Sequence, residues 1–185
     1  MKMYTIIGGV NGVGKSSFTG VLKSRTTDLG IIIDIDKLTV QAGGDSLAGG
    51  RAAVRTMDGC ILGGVSFTQE TTLSGHQVRK TVRRVKELGY YVRLYYIGLD
   101  TAGESEKRIT NRVALGGHDV PREMVRRRFQ KRWDDLRAVL PYCDEAIFYD
   151  NRNGFIEVAS YRNGELILEG EYRPGWIKEL SRCLR

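Results

Sequence analysis

The run GGVNGVGKSS at residues 8–17 decides how the rest of the chain is interpreted. It follows the apolar stretch MYTII and leads into FTGVLK, so it lies between a predicted buried strand and a predicted helix. Within it, Gly9, Gly14, Lys15 and Ser16 fit the pattern G-x-x-x-x-G-K-S/T of a phosphate-binding loop. The pattern and its context together predict a site for a nucleoside triphosphate.

Each residue type in this loop has its own chemical purpose. Glycines let consecutive backbone N–H groups turn inward around phosphate oxygens, and the following helix presents its positive dipole end. Lys15 adds a point charge at the β and γ phosphates, while the Ser16 hydroxyl can bind magnesium. The loop residues predicted to contact the nucleotide are Gly9, Asn11, Gly12, Val13, Gly14, Lys15, Ser16 and Ser17.

The length and composition limit the class of protein. The 185 residues are enough for one sizeable core, so a single domain over residues 1–185 is expected. No apolar run approaches the roughly 20 residues of a membrane span, and the N-terminus lacks the features of a signal peptide. We therefore expect a cytoplasmic protein without a membrane partner. The net charge of +7 indicates an anionic partner: a nucleotide, a nucleic acid or an acidic protein.

Segments typical of strands alternate with segments typical of helices, as in a parallel sheet covered by helices. The strand candidates are YTIIGG, GIIIDID, GVSFTQE, YYVRLYYIGL and EAIFYD. Helices are predicted over residues 76–88 and from about Asp119 to Leu140, and Asn163-Gly164 predicts a hairpin. The expected fold is the α/β P-loop NTPase fold: a five-stranded, mainly parallel sheet with helices on both faces, plus a C-terminal β-hairpin and helix at about residues 152–185.

Two acidic sequences are candidates for the chemistry beside the loop. In IIIDIDKL, strand alternation would place Asp34 and Asp36 on one side of the second strand, at the sheet edge where ligands bind. Asp36 could then accept a proton from a substrate hydroxyl, although it could instead cap the next helix, and Asp34 is interpreted as a structural partner.

The second acidic sequence, FTQETTLSG, places Glu70, Thr71 and Thr72 at the end of the third strand, beside the loop if that strand neighbours the first. Glu70 can hold a magnesium-bound water or a substrate hydroxyl, and the threonines can bind phosphate or sugar oxygens. Helix capping by Thr72 or Ser74 is the alternative.

A basic segment at about residues 101–135 is predicted to form a lid. Arg108 and Arg112 lie four residues apart on one helix face, followed by Gly116-Gly117 and then by Arg126, Arg127 and Arg128. His118 lies in this glycine hinge. Most of these arginines can equally be a solvated helix surface. The run DTAG at 100–103 matches a GTPase switch, but the guanine-reading NKxD is absent, so a GTPase is disfavoured.

The chain resembles the zeta toxin family of P-loop kinases, in particular its compact bacterial branch. The resemblance rests on GGVNGVGKSS, IDIDKL, SFTQETTLSG, RITNRVALGGHDVP, VRRRF and FYDN, and it spans about residues 3–151 in the order of the family. It implies a phosphotransferase that uses ATP and Mg²⁺ to phosphorylate the 3′-hydroxyl of the amino sugar in UDP-N-acetylglucosamine. An antitoxin partner is also implied.

The resemblance also assigns roles to individual residues. Asp36, Lys15, Arg112 and Arg128 would be catalytic, with Asp36 as the base. Arg108 and Asn151 would join the loop in binding ATP. The substrate would contact Glu70 and Thr72. The residues themselves add Asp36 and Thr71 to the predicted substrate contacts and predict Ser16 and Glu70 as the metal site.

Two alternatives stay open at this point. A kinase of the same chemistry could act on another hydroxyl acceptor, such as a nucleoside, a different sugar or a polynucleotide 5′ end. A nucleic-acid-binding ATPase could use the basic lid on a phosphate backbone. It is disfavoured because the chain lacks basic stretches with interleaved aromatic residues.

Overall fold

A computed structural model describes residues 1–117 and 119–184, so His118 and its predicted hinge position lie outside the described residues. Seven strands form one sheet: β1 (Met3–Gly8), β2 (Ile31–Asp34), β3 (Phe67–Thr71), β4 (Tyr91–Gly98), β5 (Glu145–Asp150), β6 (Ile156–Arg162) and β7 (Glu165–Leu168). Their order is β2-β3-β1-β4-β5-β6-β7. The first five strands pair in parallel, which confirms the predicted α/β class.

The sheet has two more strands than the sequence predicts. The predicted C-terminal hairpin forms around Asn163 and Gly164, which both have positive φ (54° and 85°), as a tight two-residue turn requires. The hairpin is not a separate element, because β6 pairs antiparallel with β5, with Ala146 opposite Tyr161. Strand β5 would otherwise leave its outer backbone groups without ladder partners, and β6 supplies them.

The helices are α1 (Lys15–Lys23), α2 (Ile35–Gln41), α3 (Ser46–Leu62), α4 (His76–Glu87), α5 (Ala102–Ala114), α6 (Arg122–Arg137) and α7 (Gly175–Cys183). Helix α6 ends three residues before the predicted Leu140, which instead begins a short 3-10 helix with Pro141 at its second position. Proline disfavours helical geometry in the residue before it, which explains the early end.

Helix α3 is the longest helix, and sequence reasoning missed it. Its start carries a recognisable signal, because Asp45 accepts hydrogen bonds from the backbone N–H groups of Leu47 and Ala48. Its buried residues include Ala53 and Met57, four residues apart on one face. Gly49 and Gly50 weaken the helical signal of the first turns.

Helices cover both faces of the sheet, but unequally. On one face α3, α4, α6 and α7 bury side chains such as Met57, Val82, Leu136 and Trp176 against the strands. On the other face α1 buries Phe18 and Leu22. Among the described residues, no helix is both long and apolar enough to span a membrane.

Candidate active site

The phosphate-binding loop connects the end of β1 at Gly8 to the start of α1 at Lys15. Gly12 and Gly14 both have positive φ, 74° and 94°. A side chain at Gly12 would lie 2.8 Å from the Ser105 carbonyl oxygen, and one at Gly14 would lie 2.6 Å from the Asn151 amide nitrogen. Both the backbone conformation and the lack of space therefore require glycine at these two positions.

The Lys15 ammonium group lies against its own loop. It donates hydrogen bonds to the backbone carbonyl oxygens of Gly9 (2.9 Å) and Val10 (3.1 Å). An ammonium group has three N–H donors, so one remains for a phosphate oxygen. Burial lowers the Lys15 pKa to about 8, an effect that Glu70 and Asp36 partly oppose and that Arg128 and Arg112 reinforce.

Glu70 links strand β3 to helix α1 through side-chain hydrogen bonds. Strand β3 lies next to β1, with Glu70 opposite Ile7. Its carboxylate accepts hydrogen bonds from the hydroxyls of Ser16 (2.7 Å) and Thr19 (2.6 Å). Sequence reasoning missed Thr19, although its position three residues after Ser16 places both hydroxyls on the same helix face.

The donor set fits a magnesium ion that shares its coordination with phosphate. Ser16 and Glu70 offer oxygen ligands side by side, the type that Mg²⁺ prefers. The described residues contain no cluster of three or more His, Cys, Asp or Glu side chains able to hold a metal. An ion here would be held by Ser16 and Glu70 and would supply positive charge beside the nucleotide phosphates.

The prediction that Asp34 and Asp36 alternate along one strand is wrong, because β2 ends at Asp34 and α2 begins at Ile35. The Asp34 carboxylate caps α2 by accepting from the backbone N–H groups of Asp36 (3.0 Å) and Lys37 (3.2 Å). The cap is therefore Asp34 and not Asp36. Asp36 lies in the first turn of α2 with an exposed side chain that lines the same cleft as Lys15.

The loop after β3 presents hydroxyl groups to the cleft. Thr71, Thr72 and Ser74 all line it, and the Thr72 and Ser74 hydroxyls are 2.7 Å apart. Leu73 between them has a φ of 62° and is buried beneath Gly8, which anchors the loop. Helix α4 has Gly75 at its N-cap and no side-chain cap, so the alternative role of Thr72 or Ser74 as a helix cap is wrong.

The arginines of the predicted lid separate into two groups. Arg108 and Arg112 on α5 and Arg128 on α6 line the cleft. Arg128 donates to the Asn11 side-chain oxygen (2.9 Å), and burial lowers its pKa, with Arg127 adding to the effect. Arg126 instead pairs with Glu106 at 2.6 Å on the exposed side of the lid.

Asn151 supports the loop from the end of β5. Its side-chain amide nitrogen donates to the Val13 backbone carbonyl oxygen (2.8 Å). The backbone carbonyl oxygen of Asn151 accepts a hydrogen bond from the Arg108 guanidinium. The preceding Asp150 is buried and accepts from the Trp176 indole N–H (2.8 Å). Helix α7 therefore fixes Asp150 through Trp176, and the adjacent Asn151 contacts the phosphate loop. Sequence reasoning missed this connection.

These side chains surround one cleft of 360 Å³ at the carboxyl ends of the strands. Gly9, Val13 and Asn151 were predicted as nucleotide-binding residues but do not line it. Three residues line it without having been predicted as site residues: Asp34, Ile35 and Ser74. The predicted site residues that line the cleft are Asn11, Gly12, Gly14, Lys15, Ser16, Ser17, Asp36, Glu70, Thr71, Thr72, Arg108, Arg112 and Arg128.

Comparison with known proteins gives one relative by sequence and several by structure, while no protein-family model matches the chain. An uncharacterized protein of Haemophilus influenzae is 33% identical over 127 residues, which cover 65% of this chain and 88% of that protein. A structure from the PezAT chromosomal toxin-antitoxin system of Streptococcus pneumoniae is 20% identical with a TM-score of 0.64, over 84% of this chain and 71% of that one.

The AvrRxo1-ORF1:-ORF2 complex with ATP contains a second similar structure. It is 15% identical with a TM-score of 0.65, over 91% of this chain. This chain spans 61% of that one, less than two thirds of its length. At these identities the two solved structures establish the fold. The chain therefore belongs to the same family as the Haemophilus influenzae protein, and it has the fold of the zeta toxin-like P-loop kinases.

Proposed function

We propose that this chain is a phosphotransferase that uses ATP and Mg²⁺ to transfer the γ-phosphate to a hydroxyl group of a small molecule. The supporting observation is that one cleft brings together the Lys15 ammonium, the Ser16–Glu70 pair, the Asp36 carboxylate and three lid arginines. The Asp36 carboxylate shares this cleft with Lys15, and a general base serves transfer to a hydroxyl but not nucleotide binding alone. The AvrRxo1 complex with ATP supports ATP as the donor.

Different residues of the cleft would stabilise charge and accept the proton during in-line phosphoryl transfer. Lys15 and the arginines Arg108, Arg112 and Arg128 stabilise the charge on the transferring group. Asp36 accepts the proton of the acceptor hydroxyl as the acceptor oxygen bonds to the γ-phosphorus. The bond from phosphorus to the β,γ-bridging oxygen breaks, and its electron pair leaves on ADP.

Ser16 and Glu70 would hold the magnesium ion, which when bound neutralises charge on the β and γ phosphate oxygens. Thr19 keeps the second oxygen of Glu70 in place through its 2.6 Å hydrogen bond. Thr71, Thr72 and Ser74 also line the cleft and could offer hydroxyls to a sugar or phosphate group of the acceptor.

The acceptor we propose is UDP-N-acetylglucosamine, on the strength of the family resemblance. A toxin role with an antitoxin partner is supported by the PezAT toxin-antitoxin structure. A cytoplasmic location and a single domain over residues 1–185 remain predictions from the sequence.

Mass spectrometry of purified protein with Mg-ATP and single acceptors tests the proposal. UDP-N-acetylglucosamine should gain one phosphate and ADP should appear in equal amount, while Lys15→Ala should give neither. Losing one such electrostatic contact typically lowers the rate by about 10²- to 10³-fold. Equal turnover by wild type and Lys15→Ala would contradict the assignment of the loop, and transfer to a nucleoside or another sugar alone would replace the acceptor.

A further inference from the structure

Strand β7 lies at one end of the sheet and has a free outer edge. The hydrogen bond from the Glu169 backbone N–H to the Val158 carbonyl oxygen (3.0 Å) fixes how β7 pairs with β6. Hydrogen-bonded and non-hydrogen-bonded pairs alternate along antiparallel strands, so Ile167 bonds to β6, whereas Leu166 and Leu168 direct their N–H and C=O groups away from it. Two backbone donors and two acceptors therefore lie along the free edge.

This edge is open to another strand. No backbone or side-chain group of residues 1–117 and 119–184 hydrogen-bonds to the outward groups of Leu166 and Leu168. The side chains are accessible as well, because Leu168 is 42% exposed and Ile167, on the opposite face of the sheet, is 49% exposed. Lysine and proline commonly protect edge strands, and the sequence ELIL of β7 contains neither. The edge can therefore extend the sheet by main-chain hydrogen bonds.

The hairpin is acidic although the chain as a whole is basic. Residues 156–172 contain four glutamates and one arginine, a net charge of −3 in a chain of +7. That arginine pairs with Glu145 (3.1 Å), and none of the four glutamates is paired with a lysine or arginine in the part of the chain that the structure describes. Glu165 and Glu169 lie on either side of the three apolar residues, and alternation places both on the same face as Ile167. This arrangement favours a partner strand with positive charge.

A second copy of the chain fits this edge poorly. If two β7 strands paired antiparallel with Ile167 opposite itself, Glu165 of each copy would face Glu169 of the other. Like charges directly opposite each other destabilise a strand pair, and this dimer would contain two such pairs. A basic strand in the same register would instead place a lysine or arginine opposite each glutamate.

We propose that the outer edge of β7 binds an extended basic segment of a partner protein as an additional antiparallel strand. Two lysine or arginine residues, four positions apart in that segment, face Glu165 and Glu169. An apolar or β-branched residue midway between them faces Ile167, and the backbone of the segment pairs with Leu166 and Leu168. This interaction surface is separate from the proposed phosphotransferase chemistry and does not depend on it.

Hydrogen exchange of single amides tests the proposal on the wild-type chain. The probe is the peptide acetyl-SKVTVKS-amide, and the charge-reversed peptide acetyl-SEVTVES-amide is its control. In free ¹⁵N-labelled protein the N–H groups of Leu166 and Leu168 should exchange rapidly with water, whereas that of Ile167 is protected by β6. Saturation with the basic peptide should slow exchange at Leu166 and Leu168 about 10-fold or more and leave Ile167 nearly unchanged.

Two variants separate backbone pairing from charge recognition. Leu168→Pro removes an outward N–H and no bond to β6, so it should weaken binding of the basic peptide about 10-fold. Leu168→Ala is the matched control, because it also loses the leucine side chain but keeps the N–H. The double variant Glu165→Lys, Glu169→Lys should reverse the preference, so that the acidic peptide binds about 10-fold more tightly than the basic one.

The proposal is overturned if the basic peptide leaves exchange at Leu166 and Leu168 unchanged, or if both peptides protect these amides equally. A double variant that keeps the wild-type preference would also overturn it. Protection that grows with protein concentration in the absence of peptide would assign the edge to a second copy and exclude the basic segment. If Leu168→Pro unfolds the hairpin, which lost protection at Ile167 would reveal, the reversal of charge preference decides the outcome.

Discussion

The lowered pKa of Lys15 leads to a prediction about nucleotide affinity. If the loop binds Mg-ATP through the charged ammonium, affinity should fall as the pH rises through about 8, the pKa of Lys15. With that pKa, about 90% of the protein molecules carry a charged Lys15 at pH 7 and about 10% at pH 9. Mg-ATP should therefore bind about tenfold more weakly at pH 9, a loss of about 1.4 kcal/mol.

Isothermal titration calorimetry at pH 7, 8 and 9 measures this loss directly. Lys15→Arg is the matched control, because a guanidinium group stays charged over the whole range and its affinity should change much less. The reasoning is refuted if wild type binds Mg-ATP equally well at pH 7 and 9, or if Lys15→Arg loses affinity in parallel.

The same shift affects the stability of the nucleotide-free protein with the opposite sign. The pKa of Lys15 falls from 10.5 to about 8 on folding, so the unfolded chain binds this proton more tightly. The contribution of Lys15 to the free energy of unfolding should therefore increase between about pH 8 and 10.5. Urea unfolding of wild type and Lys15→Met at pH 8 and 10 isolates this term. A difference between the two proteins that stays constant with pH would contradict it.

Three other perturbations test the remaining parts of the site. Asp36→Asn should reduce transfer roughly 10²- to 10⁴-fold at unchanged Mg-ATP affinity, because it removes only the base; retained transfer in coupled ADP assays would exclude that role. Hydrogen exchange in the lid segment, residues 101–135, should slow when a Mg-ATP analogue binds, and unchanged protection at saturation would exclude closure. Trp176→Phe should lower the free energy of unfolding by about 1–3 kcal/mol, because Asp150 loses a buried donor, and should weaken nucleotide binding through Asn151. Unfolding and titration curves that match wild type would contradict this connection.

The C-terminal segment connects to the phosphate loop through a short series of contacts. Asp100 accepts from the Trp176 backbone N–H (2.8 Å) and also pairs with Arg152, so the start of α7 is fixed to the end of β4. The Trp176 ring packs so closely on Gly98 that a side chain there would overlap it. The hairpin and helix, which lie outside the family resemblance, thereby support the turn that carries Asn151.

The features that could be predicted from the sequence are those set by residues close together in the chain. The phosphate loop follows from glycines at positive φ, a lysine and a hydroxyl at fixed spacing, all within ten residues. The alternation of strands and helices and the turn at Asn163-Gly164 are likewise set by neighbours in the chain. The placement of Glu70 near the carboxyl end of β3 could also be predicted from its position after an apolar run.

The contacts between residues far apart in the chain depend on the tertiary fold. Ser16 and Glu70 are 54 residues apart, and they meet because β3 lies next to β1 in one particular register. Helix α3 packs Ala53 and Met57 on one face of the sheet, whereas α1 packs Phe18 and Leu22 on the other. Asp34 caps α2 because the chain turns there, whereas alternation alone would have continued the strand. Such contacts depend on strand order and on which helix covers which face, and neither is encoded in any short stretch of sequence.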